Sequence, residues 1–191
     1  MRIDNAGVHQ PECGEWRSEK LSRGRIADYK PMNFVDGEGV RCSIYVSGCP
    51  FKCPGCYNRA AQSFMYGEEY TEELGRRIFS DVAQPYVAGL SFLGGEPMLA
   101  TGTLLPIARR LRKEFGAHKT IWTWTGYTFE ALLNETLDKR ELVGLSDVLV
   151  DGPFLQAEYV SGLAFRGSAN QRIIDVQASL AAGRVVPYSV F

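Results

Sequence analysis

From Arg41 onward the apolar positions switch period in a regular order. Cys42 to Val46 is a β-branched and aromatic run, the pattern of a buried strand. Thr71 then offers an N-cap, with Glu72 and Glu73 in the first turn and Leu74, Ile78 and Val82 on one helical face. Gly89 to Leu93 is a short apolar strand that ends in Gly94-Gly95-Glu96-Pro97. Thr103 opens a second helix, with Leu104, Ala108, Leu111 and Phe115 on one face and Pro106 in the first turn, where proline is tolerated. Lys119 to Trp124 predicts a strand that ends in Thr125-Gly126-Tyr127, and Thr128 caps a third helix carrying Phe129, Leu132 and Leu133. Asp147 to Val150 predicts a strand ending in Asp151-Gly152-Pro153, and Ile173, Ile174 and Val176 predict one more near the C-terminus.

Strand and helix thus alternate, which predicts an α/β fold with a mostly parallel sheet and helices outside it. Four strands end in an unusual turn: a cysteine-rich loop, Gly94-Gly95-Glu96-Pro97, Thr125-Gly126-Tyr127 and Asp151-Gly152-Pro153. Right-handed crossovers gather the carboxyl ends of parallel strands on one rim, which is where such folds build their sites.

The chain has 191 residues, enough for one domain with its own core. A hydrophobic content of 45% and charge of 23% are those of an ordinary soluble protein, and a net charge of −1 suggests neither a nucleic-acid nor a membrane surface. No apolar run approaches a membrane span. Residues 1–25 differ in character: rich in Gly, Pro and charge, with little periodicity, they read as an N-terminal extension to a domain over 26–191. The polar start (Arg2, Asp4, Asn5) lacks the apolar stretch of a signal peptide, and with clustered thiols this favours a reducing cytoplasm.

The cysteine loop carries the chemistry. Cys49, Cys53 and Cys56 stand in the spacing Cys-x-x-x-Cys-x-x-Cys. A [4Fe–4S] cluster normally takes four cysteines, so three leave one iron open to a small molecule. The same spacing admits a structural zinc site, with Cys42 as the fourth ligand. A disulfide between Cys53 and Cys56 is disfavoured by the odd count of five cysteines. Cys42 also reads as a small hydrophobe inside its strand, and Cys13, without a cysteine neighbour, as incidental.

The remaining rim residues read two ways. Gly94-Gly95 is either a tight turn or a backbone cradle for a ligand, with Glu96 as a solvated turn residue or an added charge. Asp151 either caps a neighbouring segment or faces a ribose. Trp122 and Trp124 face the same side of their strand, and core is the plainer reading. The stretch from Arg166 to Arg172 is a loop whose arginines and amides suit a carboxylate or a partner backbone. His9 and His118 are too scattered to form a catalytic set, and neither a Ser/His/Asp arrangement nor a Walker phosphate loop is present.

At these residues the chain resembles a known family. Cys49, Cys53 and Cys56 followed by Tyr57 are similar to the motif of radical S-adenosylmethionine (SAM) enzymes, and Asp36-Gly37-Glu38-Gly39-Val40-Arg41 resembles a stretch of their glycyl-radical activating subgroup, with Glu38 where proline is usual. Val46 to Cys49, Cys53 to Asn58, Trp122 to Tyr127, Val148 to Gly152 and Arg166 to Ser168 resemble, in order, the activating proteins of anaerobic (class III) ribonucleoside-triphosphate reductases. The resemblance spans about Val35 to Val176. It implies an incomplete (βα) barrel of the radical SAM type. It implies Cys49, Cys53 and Cys56 as ligands of a [4Fe–4S] cluster. It implies contacts to SAM from Gly55, Cys56, Tyr57, Gly94, Gly95, Glu96, Pro97, Thr125 and Asp151, with the 94–97 turn at the methionine amino group. Beyond cluster and SAM it implies no catalytic side chain. Some relatives carry lysine where this chain has Pro153.

The implied activity is reductive cleavage of SAM to methionine and a 5′-deoxyadenosyl radical, which takes hydrogen from a glycine of the anaerobic reductase. The protein positions and shields while the cofactors supply the hard step. The implied partners are that reductase and a low-potential electron donor such as flavodoxin or ferredoxin. The implied alternatives are another glycyl-radical enzyme or a small molecule as substrate.

Overall fold

The computed structural model describes residues 8–190, so Arg2, Asp4 and Asn5 lie outside the described residues. The strands are β1 (Arg25–Asn33), β2 (Val40–Val46), β3 (Glu68–Glu69), β4 (Val87–Gly94), β5 (Thr120–Trp124), β6 (Val148–Asp151) and β7 (Arg172–Asp175). The helices are α1 (Ser18–Leu21), α2 (Glu72–Val82), α3 (Thr101–Phe115), α4 (Phe129–Leu132), α5 (Leu137–Leu145) and α6 (Val176–Ala182). All seven strands form one sheet in the order β3-β1-β2-β4-β5-β6-β7.

Its four central strands, β2, β4, β5 and β6, are mutually parallel. β1 flanks them antiparallel on one side and β7 on the other. The sheet is not closed; β3 and β7 are its ends. Because the order β2-β4-β5-β6 never reverses, right-handed crossovers put α2, α3 and the α4–α5 pair on one face. That face holds the main core: Cys42, Ile44, Val46, Leu90, Phe92, Ile121 and Leu149 from the strands meet Ile78, Leu104, Leu111, Phe129 and Leu142 from the helices. Thr71 caps α2 as expected, its Oγ1 accepting Leu74 N–H at 3.1 Å, and Thr128 caps α4 through Ala131 N–H at 3.3 Å.

The opposite face is smaller and aromatic. Trp122, Val148, Val150 and Ile173 are buried there with Trp124, Phe165 and Tyr188 against them. The Asp36-Gly37-Glu38-Gly39-Val40-Arg41 stretch folds beneath this face. Arg41 is 1% exposed and donates to Ser91 Oγ at 2.7 Å and to the carbonyls of Leu90 and Thr120 at 2.6 and 2.9 Å. Burial lowers its pKa to about 10. Gly37 has φ 107°, and a Cβ there would lie 2.8 Å from the Trp122 ring, so this turn needs glycine.

Three sequence expectations shift. The second helix starts at Thr101, not Thr103, because Glu96 caps a 3-10 turn at Pro97–Leu99 that feeds into it. Pro106 therefore stands inside the helix, past the first turn, and cannot donate to the carbonyl one turn back. Val176 is not strand but the first residue of α6, since Asp175 Oδ1 caps Ala178 N–H at 2.9 Å. β1 and α5 carry no strong pattern. β1 alternates polar and half-buried positions around Pro31, which is tolerable because its pairing with β3 ends at Ile26. Among the described residues no helix is long and apolar enough to cross a membrane.

Candidate functional site

The four turns expected on one rim do meet there, and hydrogen bonds join each to the next. Gly95 N–H donates to Val46 O at 2.7 Å and Glu96 N–H to Gly48 O at 2.8 Å, fastening the 94–97 turn to the start of the cysteine loop. Thr125 Oγ1 and Gly126 N–H both donate to the Glu96 carboxylate at 2.8 Å, fastening that turn to the one after β5. Gly152 N–H donates to Tyr127 O at 2.9 Å, which adds the turn after β6.

The cysteine loop leaves β2 and reverses tightly. Lys52 takes φ 48° and Gly55 φ 74°, and Cys56 N–H closes a turn on Cys53 O at 3.2 Å. All five cysteines are free thiols. Cys49, Cys53 and Cys56 are half-buried, with Cys49 and Cys53 against the main core. Burial pushes the Cys49 and Cys53 thiols up, with Glu96 and the neighbouring thiols adding to it. Without a cation such thiols stay protonated; bound iron would deprotonate them. Cys42 is fully buried in β2 and its Sγ contacts Pro31 O at 3.1 Å, away from the loop, so it is no fourth ligand. Among the described residues no three His, Cys, Asp or Glu side chains converge on a single ion. Three free thiols on one loop are a donor set that fits an iron–sulfur cluster.

The other expected site residues divide. Tyr57 is 99% exposed, and Gly55 is exposed with Phe154 and Gln156 beside it. Gly94 and Gly95 are half-buried on the rim. A Cβ on Gly95 would lie 2.7 Å from Gly48 O and 2.9 Å from Ala61 O, so the residue serves close approach to the cysteine loop. Within the turn the amides of Gly95 and Glu96 donate to Val46 O and Gly48 O, and the carbonyls of Glu96 and Pro97 accept from Leu99 and Ala100 N–H.

Glu96 is 1% exposed and its carboxylate is fully engaged, Oε1 by Met98 N–H and Thr125 and Oε2 by Gly126. Burial raises its pKa to about 7, against those three bonds. Pro97 and Thr125 are also buried. Asp151, 1% exposed, accepts Phe129 N–H at 2.7 Å and Arg172 Nε at 2.9 Å, with Arg172 Nη2 on its second oxygen. Arg172 runs on to Glu130 at 2.7 Å. The amides of the 166–172 stretch turn inward: Gln171 Nε2 donates to Gly152 O at 3.0 Å and Asn170 Nδ2 to Pro153 O at 2.8 Å. They brace the 151–153 turn.

The sequence reading named Tyr127 only as part of its turn and gave no role to Phe51 or to the pair Glu135–Lys139. Phe51 sits between two of the cysteines, 5% exposed, with a Cβ on Gly126 reaching to 2.6 Å of its ring. Lys139 is wholly buried and pairs with Glu135 at 3.1 Å. The i,i+4 spacing of Glu135 and Lys139 was the available signal, but that spacing is equally common on exposed helix faces.

A family model described as a 4Fe-4S single cluster domain matches residues 35–174. The chain is 40% identical over 149 residues to the anaerobic ribonucleoside-triphosphate reductase-activating protein of Vibrio cholerae, which covers 76% of this chain and 94% of that one. The same-named proteins of Pasteurella multocida and Escherichia coli are 40% and 36% identical, over 76% and 75% of this chain and 93% of each relative.

Proposed function

Since the chain belongs to the family of anaerobic ribonucleoside-triphosphate reductase-activating proteins, we propose that it is a radical SAM activase that generates the glycyl radical of such a reductase. The observation that carries this is the set of three free thiols on the rim, with Cys42 turned instead to Pro31 O. When bound, the cluster supplies one electron for reductive cleavage of SAM, and the resulting 5′-deoxyadenosyl radical can abstract hydrogen from a glycine Cα.

The chain's own residues hold and shape. Cys49, Cys53 and Cys56 would ligate the iron. The 94–97 turn would receive the methionine amino group. Gly55, Cys56 and Tyr57 would contact the cofactor. Glu96, Thr125 and Asp151 act mainly by fixing the rim, since their oxygens already bind protein donors. The singly wound, unclosed sheet supports an incomplete barrel over residues 26–191, with 1–25 as its extension. Such an opening suits a loop of a protein substrate. A low-potential carrier such as flavodoxin or ferredoxin supplies the electron, and a reducing cytoplasm suits free thiols.

The test is to mix anaerobically reconstituted, reduced protein with SAM and the cognate reductase and record the electron paramagnetic resonance spectrum. A doublet that collapses on α-deuteration of glycine is expected. SAM cleavage without a protein radical would instead favour a small-molecule substrate.

A further inference from the structure

Residues 8–22 lie outside the 35–174 stretch that matches the cluster-domain family, yet they pack against the cysteine loop itself. Trp16 meets the Phe51 ring edge-on at 4.9 Å and the Tyr127 ring at 6.2 Å, while Phe51 and Tyr127 meet at 5.2 Å. The three rings form a closed triangle, and Phe51 is the corner that belongs to the loop between Cys49 and Cys53.

Hydrogen bonds fix the segment along its length. Gln10 Nε2 donates to Gly126 O at 3.2 Å, Gly14 N–H to Glu135 Oε2 at 3.1 Å, and Ser18 Oγ to Leu99 O at 3.1 Å. Lys139 Nζ donates to Trp16 O at 2.6 Å and to Tyr127 Oη at 3.2 Å. A buried ammonium is stable only when its donors are satisfied. Trp16 O completes the set that Glu135 and Tyr127 begin, so the backbone of Trp16 is held as firmly as its ring.

We infer that residues 8–22 brace the cysteine loop, with Trp16 as the positioning residue that holds Phe51 and so keeps Cys49 and Cys53 closed on the cluster. This rests on the reading of those cysteines as cluster ligands. For the loop to open and release iron, Phe51 must leave its ring contacts. Removing the Trp16 ring strips Phe51 of one of its two ring contacts and lowers the cost of that local opening.

The test compares reconstituted wild type, Trp16→Ala, Trp16→Phe and Val143→Ala, all under anaerobic conditions. Iron release to excess ferrous chelator is followed by absorbance, and thermal unfolding of each cluster-free chain is measured beside it. Val143 is 2% exposed in α5 and lines a cavity with Leu132, Leu137 and Leu180, so its truncation loosens the packing between helices. Trp16→Ala should release iron about tenfold faster, Trp16→Phe within about twofold of wild type, and Val143→Ala within about twofold despite its lower unfolding temperature. Trp16→Leu serves the same comparison if the alanine variant does not fold. An unchanged rate in Trp16→Ala, or an equal acceleration in Val143→Ala, overturns the brace while leaving the cluster reading intact. Wild-type protein that takes up no iron and sulfide overturns the cluster reading, and the brace with it.

Discussion

Thr125 donates its hydroxyl to Glu96 Oε1 at 2.8 Å, and this one bond ties the turn after β4 to the turn after β5. Both residues stood out in the sequence as possible cofactor contacts. In the fold their polar atoms bond each other.

The bond makes a stability prediction. Glu96→Ala leaves the donors on Met98, Thr125 and Gly126 without an acceptor in a buried site. Unsatisfied buried donors are costly, and the loss should be roughly 3 kcal/mol in urea unfolding of the cluster-free chain. A cost below about 1 kcal/mol would mean that water reaches the site.

The same carboxyl predicts a pH dependence of unusual sign. Its folded pKa is raised from 4.5 to about 7. Between those values the folded chain keeps a proton that the unfolded chain has released, so this group's contribution to stability falls as pH rises through that window. Glu96→Gln cannot ionise and should lose that slope. Urea midpoints of both cluster-free chains across the window measure it; identical slopes would show that Glu96 is ionised throughout.

The rim was legible in the sequence because glycine turns after apolar strands are both rare and strongly constrained. The cysteine loop, Gly94-Gly95, Thr125-Gly126 and Asp151-Gly152 all fall where the alternation put them. What could not be read was where the polar atoms of these turns point. Whether Asp151 faces a ribose or Arg172 depends on β7 lying antiparallel beside β6, a long-range pairing with no local trace. β1 was missed for a related reason: its half-exposed alternation around Pro31 follows from its place near the sheet edge. The role of Trp16 was equally hidden, since nothing near it in sequence announces Phe51.

Asp151 and Glu130 grip the same arginine from opposite sides, one buried and one at the surface. Asp151→Ala strands the N–H of Phe129 and half of Arg172, and should cost about 2–4 kcal/mol. Glu130, whose side chain is 58% exposed, should cost under about 1 kcal/mol when truncated. Equal losses by denaturant unfolding would show that the surface pair carries the interaction.

Two glycine substitutions should act in opposite directions. A methyl on Gly95 meets the backbone oxygens of Gly48 and Ala61, which cannot swing aside as a side chain would. Gly95→Ala should therefore displace the cysteine loop and lower iron content after reconstitution, as well as weaken SAM binding. Gly102, inside α3, has nothing within 4 Å of its missing Cβ. Gly102→Ala should stabilise the chain by about 0.5–1 kcal/mol and leave iron content unchanged. Full iron content in Gly95→Ala would show that the loop yields without losing its ligand geometry.

Tyr57 tests what the rim is for. It follows Cys56 directly and is 99% exposed, although a phenol ring ordinarily finds cover. Nothing in the fold depends on its contacts, so Tyr57→Ala should leave unfolding stability within about 0.5 kcal/mol and iron content unchanged. If the ring lies along SAM, its loss should weaken SAM binding to the loaded protein about tenfold, measured by equilibrium titration. Unchanged SAM affinity with less glycyl radical formed would move the ring's partner from the cofactor to the reductase. No change in either measurement would remove Tyr57 from the site and count against carrying the family's cofactor contacts onto this segment.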